Sequence, residues 1–179
     1  VNYGGIYKPL RLYGNWTDYS LGVTQPLLRK GKWSLDSSAA LDICNVNQGM
    51  GSFGDMSSQK LRVIRTGISA RRNDDKGFWT SNLLVSTGLP IMGATSERDA
   101  SGGPDGKFVK VNLGINRLQF LPKRSMFLFS VNGQYAPNEL MSPEKLAFGG
   151  INGRGYETAS ILGDSGVYGT LELRTPVPF

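Results

Sequence analysis

Apolar and polar residues alternate with a period of two along most of this chain, the pattern of strands with one face in an apolar medium and the other in a polar one. Tyr19, Leu21, Val23 and Gln25 take turns with Ser20, Gly22 and Thr24. Trp33, Leu35, Ser37, Ala39, Leu41 and Ile43 take turns with Ser34, Asp36, Ser38, Ala40 and Asp42. The same alternation predicts strands over 60–71, 78–87, 108–121, 127–135 and 167–174, with a first one over 10–16, about eight in all. Over 60–71, Arg62, Ile64, Thr66 and Ile68 oppose Leu61, Val63 and Arg65, and which row is the apolar one stays open. Pro26 falls near a strand end, where a missing N–H is tolerated.

The connections alternate in length. Arg29–Lys32, Asn73–Gly77 and Pro122–Ser125 are short turns; Asn47–Ser58, Ala94–Lys107 and Ala136–Gly166 are long and Gly- or Ser-rich. The expected class is all-β and antiparallel. Periodicity allows two media for the apolar row. It can face the core of a soluble β-sandwich acting as a binding module, or lipid around a transmembrane β-barrel with a wet lumen. Strands longer than the usual ~5–6 residues, and the asymmetry of the loops, favour the barrel.

Composition narrows the chemistry. The chain has 179 residues, a net charge of +6, no histidine and one cysteine, Cys44. A Ser-His-Asp or Cys-His catalytic site, an intrachain disulfide and a thiolate metal cluster are therefore all excluded. Glu97, Asp99 and Asp105 share a loop without EF-hand spacing, and Asp74 and Asp75 are adjacent residues whose side chains diverge, so neither group reads as a metal or catalytic site. No catalytic residue, metal or cofactor is expected. The basic residues sit at turns (Arg29, Lys30, Lys32, Arg71, Arg72, Lys123, Arg124) without interleaved aromatics, which argues against nucleic-acid binding. No stretch approaches the ~18 apolar residues of a membrane helix, and VNYGGIYKPL lacks a signal-peptide pattern. Trp16, Trp33 and Trp79 lie near strand ends, where an interfacial aromatic girdle is expected.

The densest signal is FGGINGRGYETASILGDSGVYGTLELR, Phe148 to Arg174. Gly149 and Gly150 open a loop that carries Arg154, Gly155 and Tyr156. Gly163, Asp164 and Gly166 then turn the chain into the last strand. One guanidinium among glycines suits insertion into a narrow polar space where it can meet a carboxylate. Asp164 is expected to shape its turn.

These residues resemble a family. GGINGRGY, then GDSG and a strand ending LELR, is similar to the arginine-bearing sixth extracellular loop of the POTRA-barrel outer-membrane transporters. The branch it looks most like is the two-partner-secretion transporters, or hemolysin secretion/activation proteins. RLQFLPKRSMFLFSVNGQ resembles the family's approach to that loop. Arg154, Gly155 and Tyr156 match the family's tip, whereas Gly153 stands where valine is usual.

The resemblance implies an outer-membrane pore that exports a large partner exoprotein of hemolysin or adhesin type. Outer-membrane lipid would surround it, Arg154 would latch the loop inside the lumen, and the protein would not be an enzyme. It also implies a barrel of about 16 strands preceded by periplasmic POTRA domains. The whole chain, 1–179, then reads as a partial barrel, with Arg154's usual aspartate partner beyond Phe179. A stand-alone eight-stranded outer-membrane barrel for adhesion or structure, and the soluble sandwich, remain the alternatives.

Overall fold

The structure is a computed structural model describing residues 12–51, 54–95, 104–150 and 153–176. Its wall strands are β1 (Leu12–Lys30), β2 (Trp33–Met50), β3 (Gly54–Asp74), β4 (Gly77–Gly88), β5 (Val109–Phe120) and β6 (Met126–Tyr135). Two short strands follow, β7 (Leu146–Phe148) and β8 (Ile161–Gly163), and then β9 (Gly166–Arg174). One antiparallel sheet has the order β1-β2-β3-β4-β5-β6-β9, while β7 and β8 pair with each other inside the β6–β9 connection. Chain neighbours are sheet neighbours, as hairpin closure dictates.

Two expectations change. The segments over 10–16 and 19–25 do not form separate strands, because pairing with β2 runs unbroken from Leu12↔Met50 to Pro26↔Asp36 (residues 10 and 11 lie outside the described residues). The wall therefore has seven described strands rather than eight. Pro26 sits at a bulge between Pro26 and Leu28, where its missing N–H breaks no ladder. The stretch Asn47–Ser58 is mostly strand, since β2 continues to Met50 and β3 resumes at Gly54. Its Gly and Ser content reads as loop, but backbone pairing and the 2.8 Å Ser58 Oγ–Asn47 Oδ1 bond carry the hairpin onward. With 18 to 21 residues each, β1 to β3 outrun the 9 to 12 of β4, β5, β6 and β9. The excess lies at the long-loop end and carries this hairpin wall roughly 25 Å past its neighbours.

Register assigns the two faces. Leu21, Leu41 and Ile64 lie side by side, as do Ile68, Leu83 and Leu113, and Phe129 with Leu171. Ile64 and Ile68 thus join the apolar row, and Val63 and Arg65 the opposite one. The apolar row is uncovered: Leu21 is 79% exposed and Leu171 68%. Among the described residues no second sheet packs on it, which removes the sandwich. The edge strands β1 and β9 do not pair with each other, so the chain does not close into a small barrel of its own.

Trp33 and Trp79 stand at the short-turn end of the outer row, with the guanidinium groups of Arg72 at 5.2 Å and Arg117 at 5.3 Å over their rings. This is girdle placement. Trp16 departs from it: it pairs with Val46 on the inner row of the projecting hairpin, because the period of two sets its face. Asp74 and Asp75 do diverge, to Arg117 (2.5 Å) and Lys32 (2.5 Å). With Arg29 bound to Asp36, ion pairs occupy several of the turn-end basics.

Two predictions follow from this layout. Leu113→Arg puts a charge on the lipid face and should cost about 2–4 kcal/mol of bilayer folding stability, read by denaturant titration of the intact protein in vesicles. Asp74 lies beyond the tryptophan level. Its carboxyl is held down to about 2 by the Arg117 hydrogen bond first and the Lys76 backbone N–H second. A depressed carboxylate contributes its stability above the ordinary carboxylate range and loses it as pH falls through its folded value. The Asp74 carboxyl carbon should therefore show a single NMR titration near pH 2, moved upward in Arg117→Gln but still below the ordinary ~4 while the Lys76 N–H remains.

Candidate functional site in the loop between β6 and β9

The connection between β6 and β9 starts on the wall. Its first part folds onto the inner face. Ala136, Leu140 and Met141, with Phe108 from the start of β5, bury an apolar cluster against Cys44, Val46, Leu61 and Val63. Burial of apolar surface at roughly 25 cal/mol per Å² makes such a patch a firm seat. This core holds a loop to a wall.

Beside it, a single 3₁₀ turn, Ser142–Glu144, started by Pro143, delivers Glu144 into a charged belt. Adjacent strands each contribute one inner-row residue: Asp42 from β2, Arg65 from β3, Ser86 from β4, Lys110 from β5 and Gln134 from β6. Arg65 grips Glu144 with two nitrogens, at 2.7 and 3.2 Å, and also bonds Asp42 at 2.5 Å and Ser86 Oγ at 2.9 Å. Lys110 Nζ lies 2.8 Å from Glu144 Oε2 and donates to the Glu144 carbonyl at 2.8 Å. Gln134 Nε2 donates to that same carbonyl at 3.1 Å and to the Asp164 carbonyl at 3.0 Å. Glu144 is only 4% exposed and Lys110 7%. Two cations balance two anions, as burial demands, since an unpaired buried charge is strongly destabilising.

The far end of the loop is tied to its beginning. Asp164 Oδ1 accepts the Leu140 N–H at 2.9 Å, so its carboxylate joins the two ends of the loop. Ser165 Oγ accepts from Ala136 N at 2.9 Å and donates to Ala136 O at 3.1 Å. Between these ties the β7–β8 ribbon projects and carries the tip. Gly149 has φ +128°, and a Cβ there would lie 2.0 Å from the Glu157 carbonyl oxygen, so only glycine closes this turn. Gly163 ends β8 and Gly166 opens β9.

At the tip, Arg154 reaches Glu172 on the inner row of β9 at 2.8 Å, and Arg174 shares that carboxylate at 2.8 Å. Arg154 therefore has a carboxylate neighbour, Glu172, within the described residues. The pair is open to water, the Arg154 side chain being 76% exposed, so the ion pair alone holds weakly. Aromatic packing supports it: the Phe148 ring lies 5.7 Å from Tyr156 and 5.7 Å from Tyr168. Tyr156 thus packs on Phe148, near Arg154 in the chain. Gly153 is buried, and a Cβ on it would come within 2.6 Å of the Phe148 ring. The glycine that stands where valine is usual makes room for this ring.

Sequence reasoning missed Glu144 and its belt. A lone glutamate in an aperiodic loop carries no pattern, and Asp42 and Arg65 are far away in the chain. Of the acidic loop residues, Asp105 accepts the Lys107 N–H at 3.0 Å, an ordinary turn, while Glu97 and Asp99 lie outside the described residues.

The comparisons with known proteins match this architecture. The model of the haemolysin secretion/activation protein family ShlB/FhaC/HecB covers residues 3–179. The chain belongs to this family. It is 24% identical over 168 residues to the heme/hemopexin transporter protein HuxB of Haemophilus influenzae, covering 91% of this chain and 30% of that one. It is 34% identical over 120 residues to the hemolysin transporter protein HpmB of Proteus mirabilis, covering 64% of this chain and 21% of that one. The solved structure of CdiB from Escherichia coli superposes with a TM-score of 0.82 at 26% identity, over 91% of this chain and 31% of that one. The family member described here is thus an outer-membrane β-barrel segment that spans 21% to 31% of the length of the relatives it matches.

Gly153→Val should displace Phe148 from Tyr156 at a cost of about 1–3 kcal/mol in tip packing. Chymotrypsin cleavage at Tyr156 in the intact protein is expected to speed up by roughly tenfold, the equivalent of ~1.4 kcal/mol.

Proposed function

We propose that this chain forms part of the wall of a translocation pore that exports a large partner exoprotein, and that the β6–β9 loop lies in the lumen with Arg154 governing access. One observation carries the reading: the loop is seated on the polar face of a sheet whose other face is bare and apolar. Hydrocarbon on one side and a wet lumen on the other satisfy both faces. Unpaired strand edges are not tolerated in lipid, so β1 and β9 join further strands of a larger barrel.

The inner rows suit an unfolded polypeptide. Asn116 bonds Thr80 at 3.3 Å and accepts from Ser130 at 2.7 Å, and Asn132 donates to Ser130 at 3.0 Å. These short neutral side chains satisfy one another and offer no strong site at which a passing chain would stall. The reading requires no bond-making step and no cofactor. The names of the relatives, as hemolysin and heme/hemopexin transporters, support a secreted protein as cargo.

The Arg154–Glu172 pair is the least buried tie of the loop, so the tip is its most easily released part. Arg154→Ala in the intact transporter is expected to cut secretion several-fold while the heat-modifiable gel shift, which reads barrel insertion, stays normal. Secretion at the wild-type level would remove the gating role.

A further inference from the structure

The loop's two halves are held by unlike forces. The half from Ala136 to Leu146 is seated by the buried apolar cluster and by Glu144, which is 4% exposed and bound by Arg65 and Lys110. The tip, 153–160, is held to the rest by the ring contact of Tyr156 with Phe148 and a water-exposed ion pair, with Arg154 76% exposed. Gln134, Asp164 and Ser165 tie the stem between them. Both cations that hold Glu144 come from the wall, so lifting this half would leave the buried Lys110 without its carboxylate and Arg65 with Asp42 alone. Moving the tip exposes no comparable charge.

We propose that the loop works in two parts: a root, 136–146, that stays on the inner wall throughout export as a fixed narrowing of the lumen, and a tip, 153–160, that alone swings. Glu144 is the positioning residue of the root. This rests on the pore reading for the word export, but the seating itself is separable from it.

Cys44 supplies the readout. It is 7% exposed, faces inward beside Asp42, and belongs to the same buried cluster as Leu140 and Met141. A membrane-impermeant maleimide applied to cells bearing the intact transporter, with any other cysteine replaced by serine, reports whether the root has lifted. In the protein at rest and with cargo passing, Cys44 should stay unlabelled. A second cysteine placed at the tip, Thr158→Cys, should label several-fold faster while cargo passes than at rest. Glu144→Gln should raise Cys44 labelling at least tenfold at rest, and Glu144→Asp should restore part of the protection. Cys44 labelling in the otherwise wild-type protein at the tip's rate during export would overturn the proposal, since the root would then leave with the tip. Unchanged Cys44 protection in a folded Glu144→Gln protein would overturn the role of Glu144. The wild-type measurement requires no variant that has to fold. If Arg154→Ala leaves secretion untouched, gating falls, while the resting comparison of wild type and Glu144→Gln still decides the root.

Discussion

Within hydrocarbon no water is present to satisfy a backbone N–H or carbonyl, so every strand must bond its neighbours along its full length. The rest of this structure depends on that constraint. It holds the strands in ladders from β1 to β9, interrupted at the register shifts near Pro26 and Gln48, and forces the side chains into two rows. The outer row has only lipid to meet. The inner row has water and whatever the chain itself can fold back onto it. Leu21 and Leu171 can therefore stand bare while Glu144 and Lys110 are buried, an inversion of a soluble domain.

The inversion explains where the stabilising contacts lie. A soluble sheet buries its apolar row under a second layer. Here the buried cluster of Cys44, Val46, Leu61 and Val63 with Leu140 and Met141 sits on the side of the polar row, near the long-loop end. Charge and apolar burial act together on one short segment. Arg65 takes part in both a wall pair with Asp42 and a loop pair with Glu144, so wall and loop share one network. Arg62 does similar work nearby without a carboxylate, donating to the carbonyls of Leu61 and Met92 at 2.7 and 3.2 Å and so holding the β4–β5 loop to β3.

Much of the wall was legible beforehand. The alternation of Trp33 to Ile43 and of Phe108 to Gln119 places the faces correctly because a period of two leaves no other choice. Strand length and loop asymmetry favoured the barrel, and the Arg154 motif with its flanking strands pointed to the family. The misread places share a cause. Asn47 to Ser58 has the composition of a turn, but extension is decided by the partner strand's backbone. Arg62 to Ile68 was ambiguous because both rows carry arginine, and only pairing with β2 and β4 settles which one lies inside.

The sequence by itself determined the strands, their two faces, the glycine-built loop and its single arginine, since each is written in local periodicity or local sterics. It also excluded histidine and disulfide chemistry outright. Only the tertiary structure decided that Glu144 meets Arg65 across 79 positions, that Glu172 receives Arg154, and that Gly153 yields its space to Phe148. These are meetings between segments distant in the chain or folded back on themselves. No periodic pattern encodes them, because what selects them is the need to balance charge and fill volume against a wall that exists only once the strands have paired.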